Sequence, residues 1–205
     1  KKRHSAEKRF RFYGLASIFL ALLFVLILVQ NIFSKGSSAF MKTAINVEVF
    51  YDPELLGVKN GATKDEILEA DFFDIAIETL LKTYPTNNLD EENQLIDLFT
   101  TDAELEIKNA LINNSNLLGK TVSLEITSSD DIDQLHKGNY PRDLPEERRR
   151  ISNFQLSIYD NFLENKKIIK NFNNYFFKNG DSRDPEIAGI GGALVGSFYS
   201  ILICL

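Results

Sequence analysis

The stretch YGLASIFLALLFVLILV, residues 13–29, decides how the rest of the chain is interpreted. It lies within a segment from Phe12 to Ser34 that contains no charged residue. At about 1.5 Å per helical residue, a segment of this length spans the roughly 30 Å hydrocarbon core of a bilayer. The sequence therefore predicts a transmembrane helix over residues 12–34.

A cleaved signal peptide is the alternative interpretation of this segment. The basic N-terminus fits both interpretations, and Ser37-Ser38-Ala39 resembles a small-residue cleavage site. The apolar core of a signal peptide is usually about 7–15 residues long, which is shorter than this segment. Length therefore favours an anchor that is not removed.

The charges that flank the first apolar segment predict its orientation. Six basic residues and one acid precede it in residues 1–11, whereas only Lys35 and Lys42 follow closely. Basic flanks stay on the cytoplasmic side of a membrane, so we expect a cytoplasmic basic N-terminus, residues 1–11. Residues 35–186 should then lie outside, with 17 Lys and Arg against 28 Asp and Glu.

A second charge-free stretch closes the chain, from Ile187 to Leu205. Asp184 can cap a helix there, with Pro185 and Glu186 in its first turn. No polar flank follows the stretch, so we expect residues 187–205 to be the start of a second, truncated membrane helix.

Gly192 and Gly196 have the GxxxG spacing that lets two membrane helices approach closely. We therefore expect these two glycines to be packing residues in the membrane. The alternative is that they reflect the ordinary abundance of glycine in membrane helices. The spacing alone leaves both interpretations open.

The polar residues between the two apolar segments predict an α+β domain. The stretch AINVEVFYD (44–52) alternates apolar and polar residues, as a strand does, and KTVSLEITS (120–128) repeats the pattern. Thr63 starts a capping box with Glu66, and apolar residues follow at helical spacing until Pro85. A similar T-D-A-E begins at Thr101, and a third helix is predicted over residues 153–165. The expected fold is an α+β extracytoplasmic domain between two transmembrane helices.

Residues that carry catalysis are scarce in this sequence. In the predicted topology His4 and His136 lie on opposite sides of the membrane, and Cys204 is alone in the second apolar segment. Neither a His/Cys metal site nor a Cys/His catalytic pair is expected, and a single cysteine excludes an internal disulfide. No glycine-rich phosphate loop follows a predicted strand. We expect no enzyme activity, no cofactor and no metal site.

Two clusters of charge favour structural roles. The acidic SDDID, with Asp130, Asp131 and Asp133, lacks the glycine and terminal glutamate of a calcium loop, so a solvated turn or helix cap is the preferred interpretation over a cation site. The stretch EERRR (146–150) mixes both signs of charge, which is typical of a solvated helix face. No nucleic-acid partner is expected.

Three ordered blocks of the chain resemble the N-terminal part of PstA-type permease subunits of the bacterial phosphate ABC importer. The blocks are AEKRFRFYGLASIFLALLFVLILVQNIFSKGSSAF (6–40), LLGKTVSLEITSSDDIDQLHKG (117–138) and FNNYFFKNGDSRDPEIAGIGGALVGSF (172–198). The resemblance implies an inner-membrane protein that works with a second permease subunit, a cytoplasmic ATPase and an extracytoplasmic phosphate-binding protein. It also implies a large insertion after the first span, which corresponds to residues 35–186.

The chain ends before the later helices and the ATPase-contacting loop of such permeases, so the phosphate pathway is expected to lie outside residues 1–205. The alternative from another class is a two-span membrane receptor whose extracytoplasmic domain is a sensor. Topology fits both classes equally, and the resemblance favours the permease. For the domain itself, docking of a partner protein is the expected role, and a passive structural insertion is the alternative.

Overall fold

The computed structural model describes residues 2–59, 62–86 and 88–205. Within these ranges the chain forms nine α-helices and three β-strands. The helices are α1 (Lys2–Gly36), α2 (Lys64–Glu69), α3 (Phe73–Thr83), α4 (Leu89–Ile96), α5 (Ala103–Asn113), α6 (Asp130–His136), α7 (Asn153–Glu164), α8 (Tyr175–Lys178) and α9 (Gly191–Cys204). The strands are β1 (Met41–Phe50), β2 (Thr121–Thr127) and β3 (Ile168–Phe172).

The chain divides into two compact units, Lys1–Phe40 and Met41–Leu205. The first unit is α1 followed by one short 3₁₀ helix, Ser37–Phe40. Every side chain from Arg9 to Ser34 is exposed, and the apolar ones are not gathered on one face. A helix that is apolar all round is stable in water only if it is covered, so this one requires a surrounding apolar phase or partner.

The second unit is built on an antiparallel sheet with the strand order β2-β1-β3. Ile45 of β1 lies opposite Ile126 of β2 and Ile168 of β3, so one apolar row crosses all three strands. Ile45 and Ile126 are buried, as the alternation of apolar residues predicts. The predicted strands over 44–52 and 120–128 are therefore confirmed.

Helices cover the sheet and enclose one hydrophobic core. Helices α3 and α6 contact β1, α5 contacts β2, and α4 packs against α7. The largest fully buried side chains include Tyr51, Phe72 and Phe162. The phenol of Tyr51 donates a hydrogen bond to the Ile107 carbonyl at 2.8 Å, and burial raises its pKa above the ordinary value. The mixed helix-and-sheet domain expected from the sequence is present.

The apolar spacing between Thr63 and Pro85 forms two helices, not the single one predicted. The capping box of Thr63 and Glu66 is present and begins α2. The backbone then becomes extended at Ala70, and the Asp71 carboxylate accepts the Phe73 N–H at 2.9 Å, which begins α3. Burial of Phe72 in the core holds this break in place.

The predicted cap at Thr101 is wrong. Helix α5 begins after Asp102, and no side chain caps it. The Thr101 hydroxyl instead donates a hydrogen bond to Asp184 at 2.5 Å, so a distant partner has replaced the local one.

Helix α7 begins at Asn153 as predicted and ends at Glu164, one residue before the predicted end. Its buried side chains are Ile158, Tyr159 and Phe162, whereas Leu163 is 45% exposed. Strand β3 and helix α4 were not predicted, because their short sequences carry weak periodicity.

The last helix begins later than the sequence predicts. Residues 184–188 form a turn, in which the Ile187 and Ala188 N–H groups donate to the Asp184 carbonyl, and α9 begins at Gly191. The intervening residues are held against α8 and the residues after it. The Ile190 N–H donates to the Phe176 carbonyl in α8. The Gly189 and Gly191 N–H groups donate to the carbonyls of residues 180 and 179, which directly follow α8. Asp184 therefore does not cap the helix.

Candidate functional site

A polar groove of about 650 Å³ lies in the second unit. It lies where the C-terminal end of α4 and the N-terminal ends of α6 and α7 meet the turn at residues 184–186. Its charged lining residues are Asp97, Asp130, Asp131, Glu146, Arg149, Arg150, Asp184 and Glu186. We call this concavity the acidic groove.

One wall of the acidic groove is fixed by hydrogen bonds between α4 and α7. Ser152 and Gln155 form a capping box at the start of α7. The Ser152 hydroxyl also donates to the Gln94 side chain at 2.5 Å, and the Gln155 amide donates to the Gln94 backbone carbonyl at 2.9 Å. Ser152 and Gln155 each donate and accept hydrogen bonds here, so the start of α7 is tied both to itself and to α4.

Glu146 closes the wall from the preceding 3₁₀ turn, Glu146–Arg148. Its carboxylate accepts the Asn153 N–H at 2.8 Å and the Asn153 side-chain amide at 2.5 Å. A carboxylate at the first turn of a helix is stabilised by unpaired N–H groups and by the helix dipole. The Glu146 carboxylate therefore stabilises the start of α7.

The two arginines of the acidic groove have different surroundings. Arg150 donates to the Asp131 carboxylate at 3.1 Å, and both side chains are well exposed, so this ion pair contributes little to stability. Arg149 donates to the Asn153 side chain, yet its Nε atom is buried without a hydrogen-bond partner among the described residues. The Ser129 hydroxyl oxygen is in the same situation. These two polar atoms are the unsatisfied groups of the groove.

The turn at residues 184–186 forms the opposite side. Asp184 accepts the Thr101 hydroxyl at 2.5 Å. Burial raises the pKa of Glu186 above its ordinary value, and the nearby Asp184 and Asp130 carboxylates raise it further against hydrogen bonds that lower it. The surroundings of Glu186 therefore disfavour its ionised form.

The charge of the acidic groove defines which ligands suit it. Six carboxylates line it against two arginines, so its net charge is negative. Such a groove repels an anion and attracts a cationic group, through the summed potential of its walls. It is suited to a lysine- or arginine-bearing surface and not to free phosphate.

The structure separates the three aspartates of the predicted acidic cluster. Asp130 accepts from the Gln134 amide, Asp131 pairs with Arg150, and Asp133 is buried against Thr43 and Lys137. Among the described residues no group of His, Cys, Asp or Glu side chains has the arrangement of a metal site. The cluster begins helix α6, as the preferred interpretation expected, but Asp133 is not solvated as predicted.

The stretch at residues 146–150 is not the solvated helix face that its charges predict. It forms a short 3₁₀ turn and an extended segment, and Arg149 is partly buried. His136 contacts the Tyr159 hydroxyl at 2.9 Å, and burial lowers its pKa. Cys204 is exposed in α9, whereas the side chain of His4 lies outside the described part of the chain.

Gly192 and Gly196, the predicted packing residues, lie on the exposed part of α9. A Cβ atom at Gly196 would meet nothing within 4 Å, and one at Gly192 would lie 3.6 Å from the Gly180 Cα. Both positions have room for a neighbouring helix, and their role in packing stays a prediction.

Several residues of the acidic groove carried no signal in the sequence. Gln94 lies in a helix that was not predicted and Asp97 directly follows it, and Ser129 was considered only as part of a cap. The charged stretches at 130–131, 146–150 and 184–186 were each interpreted separately, as local features of the chain. Only the fold shows that they face one concavity.

One described helical stretch, Arg9–Phe40, is long and apolar enough to cross a membrane, a property that N-terminal signal sequences share. The family model described as "Domain of unknown function (DUF3333)" matches residues 1–146, so the chain belongs to that family. The match includes this helix and the domain as far as Glu146. No curated protein and no solved structure matches the chain.

Proposed function

We propose that this chain, a member of the DUF3333 family, is the N-terminal part of a membrane permease subunit of an ATP-driven phosphate importer. The observation that carries the membrane assignment is α1, whose side chains from Arg9 to Ser34 are all exposed along a length that suits a bilayer. Soluble proteins rarely expose apolar surface of that extent. The importer is proposed from the resemblance of residues 6–40, 117–138 and 172–198 to PstA-type subunits.

In this proposal the N-terminus lies in the cytoplasm and residues 35–186 lie outside the cytoplasmic membrane of a bacterium. Residues 187–205 begin a second span, in which Gly192 and Gly196 pack against another membrane helix. The chain assembles with a second permease subunit and a separate ATPase subunit, so it hydrolyses no ATP itself. Its partners are proteins and membrane lipid, without nucleic acid.

The extracytoplasmic domain serves to dock the phosphate-binding protein. Its acidic groove suits a basic surface, and the hydrogen bonds between α4 and α7 keep one groove wall in a fixed geometry. A preformed site loses little conformational entropy on binding. Electrostatic attraction would then orient the partner and speed its association.

The experiment that tests this proposal uses the chain with an affinity tag, purified from native membranes in mild detergent. We expect a second permease subunit and an ATP-hydrolysing subunit to co-purify with it. Cells that lack its gene should lose ATP-driven uptake of radiolabelled phosphate and regain it when the gene is restored. Unchanged uptake in the deleted cells contradicts the proposal.

A membrane receptor with an extracytoplasmic sensor domain is the second candidate. The volume and polar lining of the acidic groove favour it, because a small polar ligand could bind there. The same deletion distinguishes the two functions. A receptor predicts normal phosphate uptake together with loss of a transcriptional or motile response.

A further inference from the structure

An exposed aromatic patch lies beside the start of helix α9. Phe172 at the end of β3 and Phe177 in α8 stack with their ring centroids 5.9 Å apart and their planes 10° from parallel. Phe172 is 52% exposed and Phe177 is 46% exposed. Met41, which lies opposite Phe172 in the sheet, is also exposed. We call Met41, Phe172 and Phe177 the aromatic patch.

The patch is held in a fixed position relative to the start of α9. The Ile190 N–H donates to the Phe176 carbonyl at 2.8 Å, and the Gly191 N–H donates to the Asn179 carbonyl at 2.9 Å. A Cβ atom at Gly191 would lie only 2.7 Å from the Phe177 carbonyl oxygen. Phe177 is thus in direct backbone contact with the first residue of α9.

The exposed, uncharged surface of helix α9 indicates what covers the aromatic patch. From Gly192 to Leu205 all its residues are exposed, and no charge occurs after Glu186. If α9 enters a bilayer at Gly191, the Phe177 backbone lies at the same depth, since the two residues touch. The headgroup layer on each side of a bilayer is only about 5–7 Å thick, which is within reach of an aromatic side chain. Phenylalanines that insert to such a depth are typical of interfacial membrane contacts.

We propose that the aromatic patch inserts into the lipid interface and sets the depth and tilt of the domain at the membrane surface. The inference rests on the proposed function, because it takes α9 as a membrane helix. The lipid bilayer is the occupant that fits, since Phe177 contacts Gly191, the residue at which α9 with its exposed apolar side chains begins. The exposed Lys178, next to Phe177, is placed to meet lipid phosphates.

The chain contains no tryptophan, so a single introduced tryptophan reports its own environment. Four variants of the whole chain are reconstituted into phosphatidylcholine vesicles that carry bromine either near the headgroup or near the bilayer centre. Phe177→Trp and Phe172→Trp test the patch, and Leu194→Trp tests α9. Leu68→Trp, on the exposed face of α2, is the matched control outside both.

We expect headgroup-proximal bromine to quench most of the emission of Phe177→Trp and Phe172→Trp, and to leave Leu68→Trp unchanged. Leu194→Trp should respond more strongly to the deeper bromine. Unquenched tryptophans at both 172 and 177, with Leu194→Trp quenched, overturn the lipid contact and leave the membrane helix intact. An unquenched Leu194→Trp contradicts the second span itself, and quenching at 172 and 177 in that case still supports a lipid-binding patch.

Discussion

Asp133 accepts two hydrogen bonds from Thr43, although the two residues are 90 positions apart in the chain. The Thr43 N–H and hydroxyl both reach its Oδ1 atom, at 3.0 and 2.7 Å. The other oxygen of Asp133 pairs with Lys137 at 2.5 Å. This buried carboxylate joins the start of β1 to α6 and satisfies a backbone donor that the sheet leaves unpaired.

The first prediction concerns the stability of this junction. Asp133→Ala should lower the free energy of unfolding by about 3–5 kcal/mol, because it leaves a largely buried Lys137 charge and two Thr43 donors unpaired. Asp133→Asn keeps the acceptor oxygen and should cost less. Thermal melts followed by circular dichroism measure both, and equal melting temperatures for all three proteins would contradict the assigned role.

The second prediction separates two kinds of glycine near the C-terminus. A Cβ atom at Gly189 would lie 2.3 Å from the Tyr175 carbonyl oxygen, whereas one at Gly196 would meet nothing within 4 Å. Gly189→Ala should therefore destabilise the junction of α8 and α9 by about 1–3 kcal/mol, as overpacked sites do. Gly196→Ala should be neutral or slightly stabilising in the isolated chain, because alanine favours helix by about 1 kcal/mol.

Substitutions at the same two glycines also test packing between membrane helices. If Gly196 contacts another membrane helix, Gly196→Leu should weaken co-purification of the second permease subunit while the melting temperature of the domain stays unchanged. A variant that assembles normally would show that the GxxxG spacing has no role in packing. Gly189→Ala, in contrast, should alter the melt.

Local features of this fold are visible in its sequence. The strand at 44–52 alternates because β1 buries alternate side chains, and the capping box of Thr63 and Glu66 closes within four residues. Gly119 adopts a φ of +74° just before β2, which is why a glycine separates helix from strand there. Each of these signals depends only on neighbours in the chain.

The acidic groove could not be predicted, because its contacts join distant positions. Thr101 and Asp184 are 83 residues apart, and Ser152 and Gln94 are 58 apart. The same reason explains the error at the second apolar stretch. Gly189 was interpreted as part of a membrane helix, whereas it lies before α9 and allows the backbone to pack against α8 carbonyls that the sequence pattern does not reveal.

A third prediction concerns pH and Glu186. Its pKa is raised in the folded state, so between about pH 4.3 and that raised pKa the folded protein binds more protons than the unfolded chain. Stability contributed by the neutral acid is complete below that pH and is lost as the pH rises through the raised pKa. Glu186→Gln should therefore raise the melting temperature at pH 7 and have little effect near pH 3.

Asp143→Asn, at an exposed position outside the groove, is the matched control and should not reproduce this pH-dependent gain. Melts of the three proteins between about pH 3 and pH 8, a range that includes the titration of ordinary and raised carboxyl groups, measure the difference. A lower melting temperature for Glu186→Gln at neutral pH would show that the ionised Glu186 stabilises the groove.

The fourth prediction tests topology. In a Cys204→Ser background, Asn114→Cys places a single thiol at an exposed position after α5, within the proposed extracytoplasmic domain. It should react with a membrane-impermeant maleimide in intact cells, because the basic flank keeps the N-terminus inside. Phe10→Cys should react only after the cells are permeabilised. Protection of Asn114→Cys together with labelling of Phe10→Cys inverts the orientation.

The last prediction tests whether the acidic groove docks a basic partner. Asp97 and Asp130 line the groove without capping a helix through their side chains, so Asp97→Asn with Asp130→Asn should leave the fold intact. Exposed charge pairs contribute about 0.2–1 kcal/mol each, so the double variant should bind the purified phosphate-binding protein roughly 2- to 30-fold more weakly. The control removes two acids elsewhere, with Asp143→Asn and Asp74→Asn.

Salt gives a second test of the same docking surface. If docking depends on the acidic groove, added salt should weaken partner binding by the unaltered chain far more than binding by the groove variant, because salt screens the same charges that the variant lacks. Equal affinity and equal salt dependence for the three proteins would exclude the groove as the docking surface.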